Sequence, residues 1–416
     1  MGRRAENGAA TPRFGQLYEV PFESQAADWR ERGNVPSLPV LLPVDNWTQD
    51  FDSRVRSIEP GAPGLVRTSA LFPIGMIGLA LGLAACDLPQ SHGDVNALIV
   101  ASSPEIWEAV EDDLVDTLEP TIQTITDERA FRVTWHDPEE TRIWGDLRRF
   151  RQVLVIGTAD DPWVAPALEQ RGRGADDVSP PELLQVESVW SRGQMVHVLV
   201  LGPDHGPAEV MALAPTLHER MDQRFRNYAT ARMFTSGRNA ALADSLGTDV
   251  GFSILLPNVY RYSVQDSVFR FRNDNPTPTE RIREIGVTWQ SPIPEELPGQ
   301  EELIAWRNAF TEAYYHDDQV VETRLTDFRT VEVEGSEALE FQASWSSPPD
   351  AWPAGGPFIT RVITCPDQDR LYFADAWLYA PGQDKYEYMI QLQTILDSFH
   401  CGTGAGDMHT EVDAAG

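Results

Sequence analysis

Four side chains near the end of a predicted helix could together bind a divalent cation. The helix is predicted from about residue 301 to residue 315, and Glu312 and His316 are four positions apart, which would place them on one helix face. Asp317 and Asp318 follow directly, and carboxylate oxygens and an imidazole nitrogen are common metal ligands. The same residues are also explained by a charged helix end in which the histidine complements the helix dipole, and we favour this second interpretation.

Other residues with useful chemistry form no recognisable catalytic motif. The sequence has no Walker loop, no HExxH helix, no GxSxG elbow and no CxxC pair. Arg220 and Arg224 share the polar face of a predicted helix, where we expect ordinary surface residues. We therefore predict no catalytic residues and no cofactor.

Aromatic side chains offer a second kind of candidate surface. Trp345, Trp352, Tyr386 and Tyr388 could line a groove that binds a glycan or a peptide. Aromatic residues at strand and helix positions belong more often to the core, so we expect core positions for these four.

Two of the three cysteines could form a disulfide. Cys365 and Cys401 remain as an even pair if Cys86 is modified, and disulfides persist in oxidising compartments. The bond would tie a predicted strand that ends near residue 364 to the end of the last predicted helix. The alternative is a pair of unpaired thiols, because two cysteines provide no spacing code.

Cys86 itself closes a segment that is typical of an export signal. Residues 71–85 are uncharged and rich in Leu, Ile and Gly, they follow Arg67, and they end in small residues. The run is shorter than the roughly 20 apolar residues of a spanning helix, and it is interrupted by Pro73. The sequence Leu-Ala-Ala-Cys that ends at Cys86 resembles the lipobox of bacterial lipoproteins. That resemblance implies cleavage before Cys86 and attachment of a lipid to its sulfur.

The region upstream of this segment does not have the pattern of a domain. Residues 1–65 are punctuated by prolines and keep no amphipathic period, so we predict a disordered or misannotated extension. Residues 66–85 would then be the signal peptide and residues 86–94 a tether. A genuine cytosolic extension, with the apolar run as a signal anchor, is the alternative.

Composition restricts the possible partners. The formal charge is −31, from 64 acidic and 33 basic residues, and it repels nucleic-acid backbones and anionic lipid headgroups. We expect no nucleic-acid partner. Hydrophobic residues make up 42% of the chain and aromatic residues 9%, which supports buried cores in more than one domain.

The order of predicted elements favours an α+β fold. Apolar strands at residues 97–101 and 153–156 and a helix with an apolar residue at every fourth position fall in a first α+β domain, residues 95–240. The polar stretch 235–248 marks the boundary. Residues 249–401 form a second α+β domain, rich in strands, and residues 402–416 a flexible tail. We expect mainly antiparallel sheets, and a strand, Gly/Pro loop and helix recur in both halves, which suggests an internal duplication.

Five segments taken together resemble one family. The segments are Ala97–Ala101, 104–107, 255–260, 355–358 and 378–382, and their order along the chain is part of the resemblance. This set is similar to the bacterial lipoprotein family known as domain of unknown function 4837. The resemblance implies a location in the cell envelope, and it supplies no catalytic or binding residues.

These observations lead to a functional expectation without a named ligand. We expect a lipid-anchored envelope protein that faces the periplasm and acts in binding or assembly. Its partners would be the membrane, through the anchor, and an unidentified envelope protein or glycan. A hydrolase that acts on an envelope polymer is the alternative, and it would require Glu312 and His316 to converge with a further carboxylate or with the Trp345 region.

Overall fold

The computed structural model describes residues 88–275, 280–316, 318–333 and 335–403. All of these residues belong to one compact unit. The predicted extension, the signal peptide, Cys86, Asp317 and residues 404–416 of the predicted tail lie outside the described residues. No helix of the described ranges is long and apolar enough to cross a membrane.

The first half of the described chain alternates strands with helices. In chain order its elements are β1 (Ala97–Ala101), α1 (Pro104–Leu118), β2 (Thr121–Gln123), β3 (Asp127–Arg129), β4 (Arg132–His136), α2 (Thr141–Leu147), β5 (Gln152–Thr158), α3 (Ala165–Gln170), β6 (Glu182–Glu187), β7 (Met195–Leu201) and α4 (Pro207–Met233).

Five of these strands form one sheet in the order β4-β1-β5-β7-β6. The first three pairings are parallel, and only β6 runs antiparallel to its neighbour β7. β5 and β7 are nearly continuous apolar runs, as expected for central strands that are covered on both faces. One face packs against α1 and α4, and the other packs against α2 and α3.

The long helix α4 begins at Pro207 and contains Pro215 within it. The apolar stripe that includes Leu217, Met221 and Phe225 is buried against the five-stranded sheet. Polar residues beside this stripe, among them Arg220 and Arg224, are only partly buried.

The second half consists mainly of antiparallel strands. Its elements are α5 (Ala240–Asp249), β8 (Phe252–Ser253), β9 (Arg261–Gln265), β10 (Val268–Asn275), β11 (Arg281–Gln290), α6 (Gln300–Tyr314), β12 (Val320–Val333), β13 (Ser336–Ser346), β14 (Gly355–Cys365), β15 (Arg370–Tyr379), α7 (Tyr386–Asp397) and β16 (His400–Cys401).

Seven strands form the second sheet in the order β12-β13-β14-β15-β11-β10-β9. Every pairing in it is antiparallel. Helices α5 and α7 cover one face, and α6 covers the other. Helix α5 occupies the polar stretch that was predicted as a boundary, because the Asn239 side chain caps its first turn and Leu242 and Leu246 reach the core.

Helices α4 and α7 connect the two sheets. Arg226 Nη1 donates to Gln393 Oε1 over 3.0 Å, and Arg232 Nη1 lies 2.9 Å from Glu387 Oε2. The ring of Phe225 stacks on that of Tyr386 with centroids 5.5 Å apart. The junction therefore combines apolar packing with ion pairs.

The predicted α+β class is confirmed, and the sheets are mainly antiparallel, with the five-stranded sheet as the exception. An internal duplication is not shown, since one sheet is mostly parallel and the other is an antiparallel array. Cys365, at the end of β14, and Cys401, in β16, are joined by a disulfide with their Cα atoms 5.7 Å apart.

Candidate functional site

A cleft of about 550 Å³ opens where β5 and β7 begin, between the five-stranded sheet and α4. Gln152 and Met195, which are register partners on β5 and β7, form part of its lining. Val95 and Gly193 lie at the same end of the sheet and complete one side. We call this cavity the arginine cleft because of the residues that face it.

The polar side of α4 supplies the other wall. Arg220, Gln223, Arg224 and Asn227 follow one another at spacings of three, one and three residues, which places them on one helix face. Tyr228 extends the same wall by one position. The buried stripe of α4 fixes this orientation, because packing Leu217, Met221 and Phe225 against the sheet turns the polar face towards the cleft.

The lining carries three guanidinium groups and no carboxylate. Arg151, Arg220 and Arg224 face the cleft, and none of the three forms an ion pair with another described residue. Arg220 Nη1 donates to the Leu183 carbonyl over 2.9 Å, which leaves its other donors available. Arg151 Nε is buried without a hydrogen-bond partner among the described residues.

Burial changes the electrostatics of this wall. It lowers the pKa of Arg224, an effect that the nearby carboxylate of Glu187 partly offsets. A guanidinium still stays charged at any physiological pH. The cleft is therefore a region of positive potential on a strongly acidic chain.

A buried histidine lies beneath the cleft. His197 is fully buried, and it is the register partner of Gln185, another lining residue. Burial, together with the positive charges of Arg224 and Arg220, lowers the pKa of His197 to about 3. Its Nε2 lies 3.4 Å from Gln152 Oε1, and its Nδ1 has no hydrogen-bond partner among the described residues. The imidazole is therefore neutral at physiological pH.

A second cavity of about 470 Å³ adjoins the first and shares Val95, Arg151 and Tyr228 with it. It lies at the junction with α7, and Asp384 and Glu387 contribute to its lining. Its lining holds three arginines and three carboxylates, and Arg232 pairs with Glu387. Of the two cavities, only the arginine cleft therefore has more positive than negative side chains in its lining.

The structure does not bring the predicted metal-site residues together on one helix face. Helix α6 ends at Tyr314, and Tyr315 is extended, so His316 lies beyond the helix that contains Glu312. Glu312, His316 and Asp318 are all exposed. The described residues contain no group of three or more His, Cys, Asp or Glu side chains suited to a metal. Because Asp317 lies outside them, the four-residue site stays a prediction.

The four aromatic candidates separate into different environments. Trp345 is buried and meets Trp377 edge to face, with ring centroids 5.4 Å apart. Trp352 is 83% exposed, so the expectation of a core position is wrong for this residue. Tyr386 and Tyr388 line the second cavity. Trp345 is buried, whereas Glu312 and His316 are exposed.

The interpretation of Arg220 and Arg224 as ordinary surface residues is also wrong. Both are partly buried and face the cleft. The sequence contained one signal for this site: the cleft-facing positions of α4 include no acidic residue, although the chain as a whole is strongly acidic. The sequence could not show that Arg151 lines the cleft, because its position there depends on how β5 pairs with β7.

The lining determines which chemistry the cleft can perform. Guanidinium groups and side-chain amides present an array of N–H donors, and charge-assisted hydrogen bonds from Arg to phosphate or carboxylate are strong and directional. The lining also has no thiol, amine or carboxylate that could act as a nucleophile or a general base. The arrangement favours recognition of an anion.

One family model matches part of the chain. Residues 239–398 match the model of a family described as Domain of unknown function (DUF4837). The match covers the second half of the described chain and not the arginine cleft. No curated protein matches the chain in sequence.

Two solved structures are distantly similar to parts of this chain. The crystal structure of the Saccharomyces cerevisiae Ran-binding protein Mog1p is 13% identical, covers 37% of this chain and 91% of its own, and has a TM-score of 0.26. The solution structure of cyanobacterial PsbP (CyanoP) from Synechocystis sp. PCC 6803 is 16% identical, covers 36% and 86%, and has a TM-score of 0.24. At these TM-scores neither similarity supports a conclusion about this chain.

Proposed function

We propose that this chain, which carries a domain of the DUF4837 family, is a lipid-anchored protein of the bacterial cell envelope that binds an anionic ligand in the arginine cleft. The family description assigns no activity. The proposal therefore depends on the site and on the sequence before it.

The observation that supports ligand binding is the set of three arginines without a carboxylate. Among the described residues, two of the three other buried arginines have acidic partners: Arg307 pairs with Asp375, and Arg361 pairs with Glu340. The third, Arg283, donates hydrogen bonds to the amide oxygens of Gln391 and Asn275. With 64 acidic and 33 basic residues, an acidic partner for Arg224 would be easy to supply. Leaving cationic groups unpaired in a partly buried cleft is unfavourable unless an anion compensates them.

The location has separate support. The lipobox at Cys86 and the preceding apolar run predict export and lipid attachment. The disulfide between Cys365 and Cys401 fits an oxidising compartment, because such bonds are rare in the cytosol. We propose a protein that faces the periplasm, and its binding partner would be an envelope component bearing phosphate or carboxylate groups.

Calorimetric titration of the full chain with inorganic pyrophosphate at low ionic strength tests the binding proposal. We expect saturable binding, weakened at least tenfold by the double substitution Arg220→Gln and Arg224→Gln, because two of the three guanidinium donors are lost. Arg324→Gln is the matched control, since Arg324 is exposed on β12 and away from the cleft. Equal affinity of the double variant and the wild type would contradict the proposal.

A further inference from the structure

Residues 89–92, near the start of the described chain, lie along the edge of the arginine cleft. The backbone N–H of Arg192 donates to the Pro89 carbonyl over 2.9 Å, and the N–H of Arg151 donates to the His92 carbonyl over 2.9 Å. The N–H of His92 in turn donates to the Arg149 carbonyl over 3.3 Å. Residues 89–92 are thus held between the segments that lead into β5 and β7.

This path limits the distance between the cleft and the proposed lipid anchor. Cys86 precedes Pro89 by three residues, and three residues span at most about 11 Å. Val95, which follows the bound segment, already lines the cleft. A lipid on Cys86 would therefore hold the cleft close to the membrane surface.

Further arginines surround the same entrance. We define the basic rim as six residues that share this end of the five-stranded sheet and form no ion pair with another described residue: Arg148, Arg149, Arg151, Arg192, Arg220 and Arg224. Arg149 and Arg192 are exposed, and Arg148 Nε is buried without a hydrogen-bond partner among the described residues.

Few acidic residues lie near the basic rim, and some of them already interact with arginines. Asp94 lies 3.6 Å from Arg132, and Glu187 acts on Arg224 without forming an ion pair with it. Asp146 lies three positions before Arg149 at the end of α2. The six arginines of the basic rim outnumber these three acidic residues, although the chain as a whole is strongly negative.

From this placement, we propose that the anion bound by the arginine cleft is the phosphate headgroup of an anionic phospholipid in the membrane that holds the anchor. The inference rests on the proposed function, and it names the ligand of the same site. A net charge of −31 repels an anionic surface, whereas the basic rim is attracted to it. The two effects together would turn the rim towards the membrane and the acidic remainder away from it.

Vesicle sedimentation tests this inference with the unlipidated full chain, Cys86→Ser. We compare vesicles of phosphatidylcholine with vesicles containing 30% phosphatidylglycerol, at low and at moderate salt. We expect binding at least tenfold stronger to the anionic vesicles, and weaker at higher salt because counterions screen the contact. Any insertion of the apolar run 71–85 is common to all samples and does not affect the comparison between variants.

Two double substitutions locate the contact. We expect Arg220→Gln with Arg224→Gln, and separately Arg149→Gln with Arg192→Gln, each to lower the affinity for phosphatidylglycerol vesicles at least tenfold. Arg149 and Arg192 are exposed, so their replacement leaves the fold intact even if the cleft variant is unstable. The control Arg324→Gln should bind as the wild type does.

The outcomes separate this inference from the proposed function. Equal binding to both vesicle types, or no effect of either double substitution, would overturn the lipid assignment. If pyrophosphate or glycerol 1-phosphate still bound in the cleft, the ligand would be a soluble anion and the proposed function would stand. If neither bound, both proposals would fail.

Discussion

At the scale of single residues, the account depends on which arginines have partners. Arg307 and Arg361 are buried and paired, so they belong to the structure of the second sheet. Arg151, Arg220 and Arg224 are partly buried and unpaired within the described residues, so they point to a ligand. The sequence alone could not separate these two groups, because the partners of Arg307 and Arg361 are 68 and 21 residues away along the chain.

His197 provides a prediction on the dependence of stability on pH. The pKa of His197 is lowered to about 3 in the folded state, from an ordinary value near 6.5. Below pH 6.5 the unfolded chain binds a proton that the folded chain excludes, so the free energy of unfolding falls as the pH falls from 6.5 towards 3. The slope from this one group approaches about 1.4 kcal/mol per pH unit.

We expect His197→Gln to remove this contribution, about 2 kcal/mol between pH 7.5 and pH 5. Urea unfolding of the wild type and the variant at both pH values measures it. His316→Gln, at an exposed position, should leave the pH dependence unchanged. An identical pH dependence in all three proteins would show that His197 is protonated freely in the folded state.

At the scale of elements, local patterns predicted the helices and central strands better than their arrangement. The period of four predicted α1, whose buried residues are Trp107, Val110, Leu114 and Leu118, and the apolar runs predicted β1 and β5. Strand direction depends on pairings between distant segments, so the parallel pairing in the first sheet could not be predicted from the sequence. Helix α5 was missed because its helical signal is short, with only Leu242 and Leu246 as large apolar residues at a spacing of four.

The buried ion pair under α6 leads to a prediction on stability. Asp375 accepts hydrogen bonds from Arg307 Nε over 2.8 Å, from Thr360 Oγ1 over 2.5 Å and from the Tyr315 hydroxyl over 2.9 Å. Replacing Asp375 with Ala would leave the fully buried Arg307 uncompensated, so we expect a loss of about 3–5 kcal/mol in the free energy of unfolding. Urea denaturation followed by far-UV circular dichroism measures it.

The control for this prediction is an exposed pair on the same sheet. Asp327 lies 3.0 Å from Arg329, and both side chains are about half exposed. Asp327→Ala should therefore change the free energy of unfolding by less than about 1 kcal/mol. Similar losses for Asp327→Ala and Asp375→Ala would contradict the role given to the buried pair.

The disulfide should stabilise the end of the second sheet. Cys365 and Cys401 are 36 residues apart in sequence, and closing a loop of this length restricts the unfolded chain. We expect Cys365→Ser with Cys401→Ser to lower the free energy of unfolding by roughly 2–4 kcal/mol. If the same loss appears when the wild type is reduced with dithiothreitol, the effect belongs to the bond; no change in either experiment would show that the bond is not formed in solution.

At the scale of the whole molecule, the lipid anchor and the cleft form a single hypothesis. The signal before Cys86 was predicted from the sequence, and the α+β class was predicted from the order of the elements. The cleft was not predicted, because it combines α4 with the beginnings of β5 and β7, which meet only in the folded chain. Residues 89–92, which follow the proposed anchor site, are hydrogen-bonded beside the cleft.

The proposed lipid anchor leads to a separate prediction, which is tested in the cells that produce this protein. Cys86→Ser should prevent lipid attachment, so we expect the variant to incorporate no radiolabelled palmitate, because the sulfur that accepts the lipid is absent. The wild type should be labelled and should sediment with the membranes. Membrane association of the wild type without labelling would contradict lipid attachment, whatever the cleft binds.

The central claim is that the arginine cleft binds an anion, and a crystal structure of the chain grown with saturating pyrophosphate tests it most directly. The account predicts an anion within hydrogen-bond distance, roughly 2.7–3.2 Å, of the guanidinium groups of Arg220 and Arg224. An anion-free cleft, with these arginines turned towards carboxylates of the chain, would contradict it.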